Sequence, residues 1–359
     1  MAYNTKVISA DAHIIEPPDL WTSRLDKRFK ERAPRVVHEA ETDRWVSEDA
    51  ALPAITDLVG INRPLGSTQT TGRYGLDILQ GGYDPEVRLR DMNRDGVYGE
   101  VLYPTVGLRL FMVKDIELQK ALFATYNTWL ANFCRTHPER YKGIGMICVD
   151  DIEGAVQELH RCKELGLSGG MIGMEQSEYE LPKYDPIWAA AEQLGMPLNM
   201  HTGTGRGPRN RTRIDFVVYS VHMQRVLAAM IYSGIFDRFP KLKVVSVEAE
   251  AGWASSFLER MDYFYDLHGE KRKARGIFCE RPPSEILRQH IGYTFIFDYT
   301  GIVARKVIGE NALMWSSDFP HGGSTWPDSQ KVIAEQLAGV PESDAQKIIW
   351  GNAAALYGF

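Results

Sequence analysis

An aspartate and a histidine, Asp11 and His13, end an apolar, β-branched run, Val7-Ile8-Ser9-Ala10-Asp11-Ala12-His13. On a strand, residues two apart point to the same side. A carboxylate and an imidazole therefore leave this strand together, as one side of a metal site would. Similar groups stand at the ends of later apolar runs. His201 ends 196–202, Glu248 ends 242–249 with Glu250 after it, and Asp318 ends 313–317 with His321 three residues on. Glu100 and Asp298 are further carboxylates in or after such runs. Imidazoles and carboxylates together suit Zn²⁺, Mn²⁺ or Fe²⁺ and call for no thiolate. Such a cation lowers the pKa of a bound water from about 15.7 to about 7, and a carboxylate at its edge can take or give a proton. The expected metal ligands are Asp11, His13, His201 and Asp318, and the expected catalytic groups are Asp318, Glu248 and His321.

Each piece alone has a plainer explanation. Asp-x-His arises by chance, a single histidine such as His201 is often a satisfied core residue, and Asp318 before Phe-Pro-His suits a turn cap. Their joint placement at strand ends favours a site. Glu248 keeps three readings: a buried base, a ligand to a second metal, or the partner of an arginine such as Arg260. His321 reads as a partner of the metal ligands or as loop structure, and His222, inside a helical stretch, as structural. Arg206, Arg209, Arg211 and Arg213 crowd the loop after the fifth strand. They suit a clamp on a substrate carboxylate, a solvated loop or a subunit contact. Trp326 is a candidate pocket wall, whereas Trp253 and Trp315 suit the core.

The elements that must position these groups alternate. Strands are expected at 7–13, 97–104, 141–149, 167–174, 196–202, 242–249, 293–297 and 313–317. Helical spacing follows nearly every one, at 115–137, 152–165, 186–194, 217–236, 253–268, 284–290 and 300–308, with closing helices at 329–337 and 343–357. Eight strand–helix repeats predict a parallel sheet closed as a (β/α)8 TIM barrel. A doubly wound open sheet competes, but it places a Gly-rich phosphate loop after the first strand, where this chain has DAHIIEPP. Residues 22–88 read as a long insertion after strand one, with a small hairpin at 35–46, of the kind that forms lids or interfaces. Residues 1–359 are thus expected to form one barrel domain carrying this insertion.

The composition is that of an ordinary globular chain: 359 residues, 44% hydrophobic and 25% charged. A net charge of -6 gives no support to nucleic-acid or anionic-membrane binding, and no apolar run reaches the roughly 20 residues of a membrane span. Four scattered cysteines, Cys134, Cys148, Cys162 and Cys279, form no CxxC pair and read as reduced thiols. With a first strand that starts too early for a leader, a cytoplasmic location is expected.

Four segments, ISADAHIIEPPDLW, PLNMHTG, FPKLKVVSVEAEAGWASSFLERMD and MWSSDFPHGGSTWP, with the ending IIWGNAAALYGF, resemble the amidohydrolase superfamily. The similar group is the amidohydrolase-related one that includes the aminocarboxymuconate semialdehyde decarboxylases. The resemblance implies a distorted (β/α)8 barrel with a divalent metal at the strand ends, zinc or manganese first, with iron also in range and a second metal through Glu248. It carries the ligand pair onto Asp11 and His13, the strand-five histidine onto His201, and the ligand and proton handler onto Asp318. The group's decarboxylases usually place a catalytic histidine at the end of strand six, where this chain has Val247-Glu248-Ala249-Glu250. The expectation is a metal-dependent hydrolase or carboxy-lyase (decarboxylase) acting on a small carboxylated substrate, aromatic acids included, and forming a homo-oligomer. The alternatives are a di-metal (Fe/Mn) oxygenase working with a homologous partner subunit, or the non-catalytic partner of such a complex.

Overall fold

Residues 6–40, 42–48, 50, 52, 72–174, 178–204 and 213–359 are described by the computed structural model. The β-branched opening run forms β1 (Ile8–His13), buried at every position. After it comes an antiparallel pair, β2 (Arg35–His38) and β3 (Asp43–Val46), inside the expected insertion. Trp45 of β3 packs edge-on against Trp21, 5.8 Å away, and against Tyr74, 5.9 Å away. The Tyr74 hydroxyl donates to the Glu16 carbonyl. These contacts fasten the pair beside the exit of β1.

The remaining strands are β4 (Gly99–Tyr103), β5 (Tyr141–Met146), β6 (Gly169–Gly173), β7 (Leu198–His201), β8 (Val244–Val247), β9 (Ile291–Phe295) and β10 (Leu313–Trp315). With β1 they form one eight-stranded sheet in the order β1-β4-β5-β6-β7-β8-β9-β10, and each paired neighbour is parallel. Helices cover its outside, so the strands are buried on both faces and read as continuous apolar runs. The helices Ile116–Arg135 and Ile152–Glu164 start where the Asp115 and Asp151 carboxylates accept from backbone amides of the first turn. Gly169 is glycine because a Cβ there would stand 2.8 Å from Asn199 Nδ2. Asn199 belongs to a polar knot beneath the strand ends, where its Oδ1 accepts from the hydroxyls of Tyr103 at 2.9 Å and Tyr357 at 2.7 Å.

The ring closes between β1 and β10 by single bonds rather than a ladder. Asp318 N donates to the Asp11 carbonyl at 3.0 Å, and His13 N donates to the Phe319 carbonyl at 2.6 Å. Ser317 N donates to Ser9 Oγ at 2.8 Å, and Ser9 Oγ–H donates to the Asp11 carbonyl at 2.8 Å. That uses the only Ser9 proton, so Ser317 is the donor in the 3.0 Å contact between the two hydroxyls. The other flank of β1 is irregular too, since its register with β4 shifts between Ser9 and Ala12. This seam makes the barrel a distorted one.

Some boundaries differ from the sequence reading. The strand expected at 293–297 runs two residues earlier, because Ile291 and Gly292 pair with Val244 and Val245. The stretch 300–308 splits into Tyr299–Val303 and Arg305–Ile308, and 343–357 is interrupted by a π turn at Lys347–Gly351. The long helix starts at Arg213 and ends at Tyr232, before Gly234 in the left-handed region. Among the described residues no helix is long and apolar enough to cross a membrane.

Candidate metal centre

Asp11, His13, His201 and Asp318 come together at the C-terminal mouth of the barrel. The Nε2 atoms of His13 and His201 are 3.2 Å apart. Asp11 Oδ1 lies 3.4 Å from the first and 3.6 Å from the second, and Asp318 Oδ1 lies 3.5 Å from His13 Nε2. All four residues are buried.

The backbone settles which ring nitrogens carry protons. His13 Nδ1 faces the Pro104 carbonyl at 2.8 Å, and His201 Nδ1 faces the Thr202 carbonyl at 2.6 Å. A carbonyl only accepts, so both Nδ1 atoms are donors and the neutral rings present bare Nε2 lone pairs to each other. Both carboxylate oxygens of Asp11 and Oδ1 of Asp318 are buried without a hydrogen-bond partner. Leaving such atoms unpaired costs about 1–3 kcal/mol each. Two bare nitrogens and two carboxylates converging on one point are the donor set of a divalent cation, so the residues present fit one.

The protein's own charges point the same way. Burial raises the Asp11 carboxyl, but the imidazoles of His201 and His13 overcome this and hold it well below the usual carboxylate range. Burial works against a charged His201, yet Asp11 and then Glu248 bring it up to about 9. Burial, with His321 beside it, lowers His13. Burial and then Asp11 push Asp318 up to about 7 against the pull of His13. The cluster thus demands positive charge between Asp11 and the two rings, and a proton on His201 and a divalent cation are competing ways to supply it.

Around this core, Glu248 Oε2 accepts from Thr202 Oγ1 at 2.8 Å and stands 3.5 Å from His201 Nδ1. Burial and then Asp318 raise its carboxyl. Arg260 is not its partner: that guanidinium lies over the rings of Tyr263 and Phe264. Burial and Asp298 push Glu250 up to about 8, and its Oε2 has no hydrogen-bond partner. The His321 ring stacks on His13 with centroids 4.0 Å apart, and its Nδ1 is 2.9 Å from Asp318 Oδ1. Thr105 Oγ1 gives its proton to the Ile14 carbonyl at 2.7 Å, so at 3.1 Å it accepts from His321 Nε2. His321 therefore also turns a bare nitrogen inward, and His13, Asp318 and His321 form a second group with metal-ligand spacing. Glu248, Glu250 and Asp318 have φ of 56°, 55° and 53°, and they are the non-glycine residues in the left-handed region among those described. Strained backbone of this kind concentrates at functional sites.

Other sequence candidates sit elsewhere. Glu100 pairs with the buried Arg88, and Asp298 accepts from the amides of Ala251, Gly252 and Gly301 as a cap. His222 lies on an exposed face of its helix. Trp326 is buried, its indole N–H donates to the Asp91 carbonyl at 3.2 Å, and its ring packs on Phe319, next to Asp318. Arg206, Arg209 and Arg211 lie outside the described residues. Sequence reasoning missed Thr105, Thr202, Ser9, Ser317 and Arg88. For Arg88 a signal existed: Arg88, Met92 and Asp95 share one face of the helix Pro85–Asp95, and two polar residues on a buried face invite the question of what they hold.

A gamma-resorcylate decarboxylase of Rhodococcus jostii strain RHA1 is 27% identical over 275 residues, covering 64% of this chain and 74% of the relative. A 2-amino-3-carboxymuconate-6-semialdehyde decarboxylase of Dictyostelium discoideum is 26% identical over 302 residues, covering 80% of each chain. The fold matches the crystal structure of 5-carboxyvanillate decarboxylase from Novosphingobium aromaticivorans, solved with manganese and 3-methoxy-4-hydroxy-5-nitrobenzoic acid, with a TM-score of 0.73 at 19% identity over 99% of this chain and 98% of that one. The family model described as Amidohydrolase matches residues 80–359, and the chain belongs to that family.

Proposed function

We propose that the protein is a metal-dependent carboxy-lyase that removes CO₂ from a small carboxylated, hydroxyl-bearing aromatic acid. The observation that carries this reading is the convergence of bare nitrogens of His13 and His201 with the unpartnered oxygens of Asp11 and Asp318. The carboxy-lyase names of the relatives favour decarboxylation over hydrolysis. Asp11, His13, His201 and Asp318 would hold the cation, manganese or zinc. When bound, it supplies a Lewis acid that orients the substrate and withdraws electron density from it.

The chain's own residues do the rest. Of the two ligand-type carboxyls, Asp318 is the one that burial inclines toward its protonated form, and it relays a solvent-derived proton to the ring carbon that bears the carboxylate. As that carbon–carboxylate bond breaks, its electron pair stays on the carbon and CO₂ leaves. His321, fixed by its bond to Thr105, lays its ring on His13 and presents a bare Nδ1 to Asp318. Glu248 occupies the strand-six position where the similar decarboxylases usually have histidine, and its raised carboxyl is a second proton store.

The test is CO₂ release from a panel of hydroxybenzoates by manganese-loaded protein in D₂O. A product carrying one deuterium where the carboxylate stood is expected. Hydrolysis of esters or amides with no CO₂ from any panel member would overturn the reading in favour of a hydrolase.

The group formed by His13, Asp318 and His321 favours one variant, a di-metal (Fe/Mn) oxygenase site sharing His13 and Asp318. About two redox-active metals per chain with O₂ consumption support it, and one metal with CO₂ release removes it. We also read the chain as one barrel domain that carries an insertion at about 22–88 after its first strand. Four free, buried cysteines suit a reducing, cytoplasmic compartment. Exposed Ile214, Val217 and Val221, spaced along one helix, suit a homo-oligomer contact that light scattering would detect.

A further inference from the structure

Arg88 is among the largest side chains buried below 2% exposure, and its guanidinium reaches both banks of the β1–β10 seam. Nη1 donates to the His13 carbonyl at 2.7 Å and to the Gly81 carbonyl at 3.3 Å. Nη2 lies 3.5 Å from the Phe319 carbonyl, which also accepts from His13 N. Nε donates to Glu100 of β4, and the guanidinium lies 4.9 Å from the Phe319 ring centroid. One planar, permanently charged fork thus ties the backbone of His13 to the residue after Asp318. Lower on the same helix, Asp95 accepts from Ser329 N at 2.9 Å and from Ser329 Oγ at 2.6 Å, and the Asp91 carbonyl accepts from Trp326. The helix Pro85–Asp95 therefore grips both ends of the segment that carries Asp318 and His321.

We propose that Arg88 is a positioning residue of the metal centre: it locks the His13 and Phe319 carbonyls together and so sets the spacing of the His13 imidazole and the Asp318 carboxylate. No ladder pairs β1 with β10, so fixed donors must set the separation of these two ligands. Lysine cannot replace the fork, because one ammonium cannot serve Glu100 and both carbonyls in a single plane. A residue that served stability alone would lower unfolding temperature and leave metal affinity untouched. The inference rests on the metal-site reading above.

The experiment compares wild type, Arg88→Lys, Glu100→Gln and the double variant Arg88→Met/Glu100→Gln, which leaves no unpaired buried carboxylate. Two quantities are read: the Mn²⁺ dissociation constant, by electron paramagnetic resonance of free Mn²⁺, and the thermal midpoint of the metal-free protein. The double variant is expected to bind Mn²⁺ about 10–100-fold more weakly, as groups that orient metal ligands do. Arg88→Lys should fall between it and wild type, and Glu100→Gln should stay closest to wild type. The bound-Mn²⁺ line shape should broaden in the arginine variants. Unchanged affinity and line shape in Arg88→Lys and the double variant, whatever the midpoint does, would overturn the proposal. If the double variant does not fold, Arg88→Lys alone decides. Wild type that fails to bind Mn²⁺ sinks the metal reading itself, whereas wild type that binds beside unaffected variants sinks only the role of Arg88.

Discussion

On the arc β6–β7–β8, His201 is placed by an ordinary ladder: it stands opposite Gly173 on one side and Val247 on the other, in unbroken register. Across the seam, Asp11, His13 and Asp318 are placed by two isolated backbone bonds, a pair of serine hydroxyls and a buried arginine. Asp11 and Asp318 thus stand where regular pairing stops, and His13 is paired on one side alone, with Tyr103 of β4. A ladder fixes direction and spacing for every residue on it, and a seam leaves both adjustable. The difference implies that changes on the arc act mainly on stability, whereas changes at the seam also act on the centre.

The largest expected effect is from removing a ring at the seam. His13→Ala should weaken Mn²⁺ binding by more than about 100-fold, beyond what loss of an orienting group costs, as read by titration calorimetry. Chelation of the metal should abolish turnover, and Mn²⁺ should restore it. Asp318→Asn should lower kcat by about 10²–10⁴-fold, the usual worth of a positioned proton donor, in a protein that still folds.

The next effect is on pH. Metal binding must displace the protons that Asp11 draws onto His201 and that burial keeps on Asp318, groups brought to about 9 and about 7. Above about 9 neither site is protonated, and below about 7 both are, so affinity should fall as pH falls. A slope of about tenfold per pH unit for each displaced proton is expected between these limits. Affinity that is flat across this range would contradict the electrostatics of the cluster.

The smallest pair sharpens the contrast of arc and seam. Ser9→Ala strands Ser317 N, leaves the Asp11 carbonyl with Asp318 N as its donor, and should cost about 1–3 kcal/mol, together with a measurable loss of Mn²⁺ affinity. Val245→Ala, on β8, should cost a similar 1–3 kcal/mol or so from lost apolar burial, with affinity unchanged. Equal losses of stability and of affinity in both would erase the distinction drawn here.

How much of this was legible follows the same line. Asp11, His13, His201 and Asp318 could be read because each ends an apolar run, and a strand's end faces the mouth of a barrel. The eight strands could be read for the same reason, with errors of a few residues where pairing set the limits, as at Ile291. The seam could not be read. Ser9 and Ser317 are 308 positions apart, and no local pattern announces a hydroxyl pair that only ring closure creates. Arg88 was passed over because 22–88 read as an irregular insertion, which hid the helix Pro85–Asp95 that carries it. Glu248 was found, but its partner Thr202 directly follows the neighbouring strand and depended on register.

The left-handed backbone at Asp318 has a consequence for how this position can change over generations. A side chain with a β-branch is disfavoured there, whereas asparagine and glycine inherit the turn at little cost. The accessible route away from the present chemistry therefore passes through a neutral amide that preserves the shape of the turn and forfeits the acid. Descendants that took that step would be expected to retain the barrel and bind without reacting.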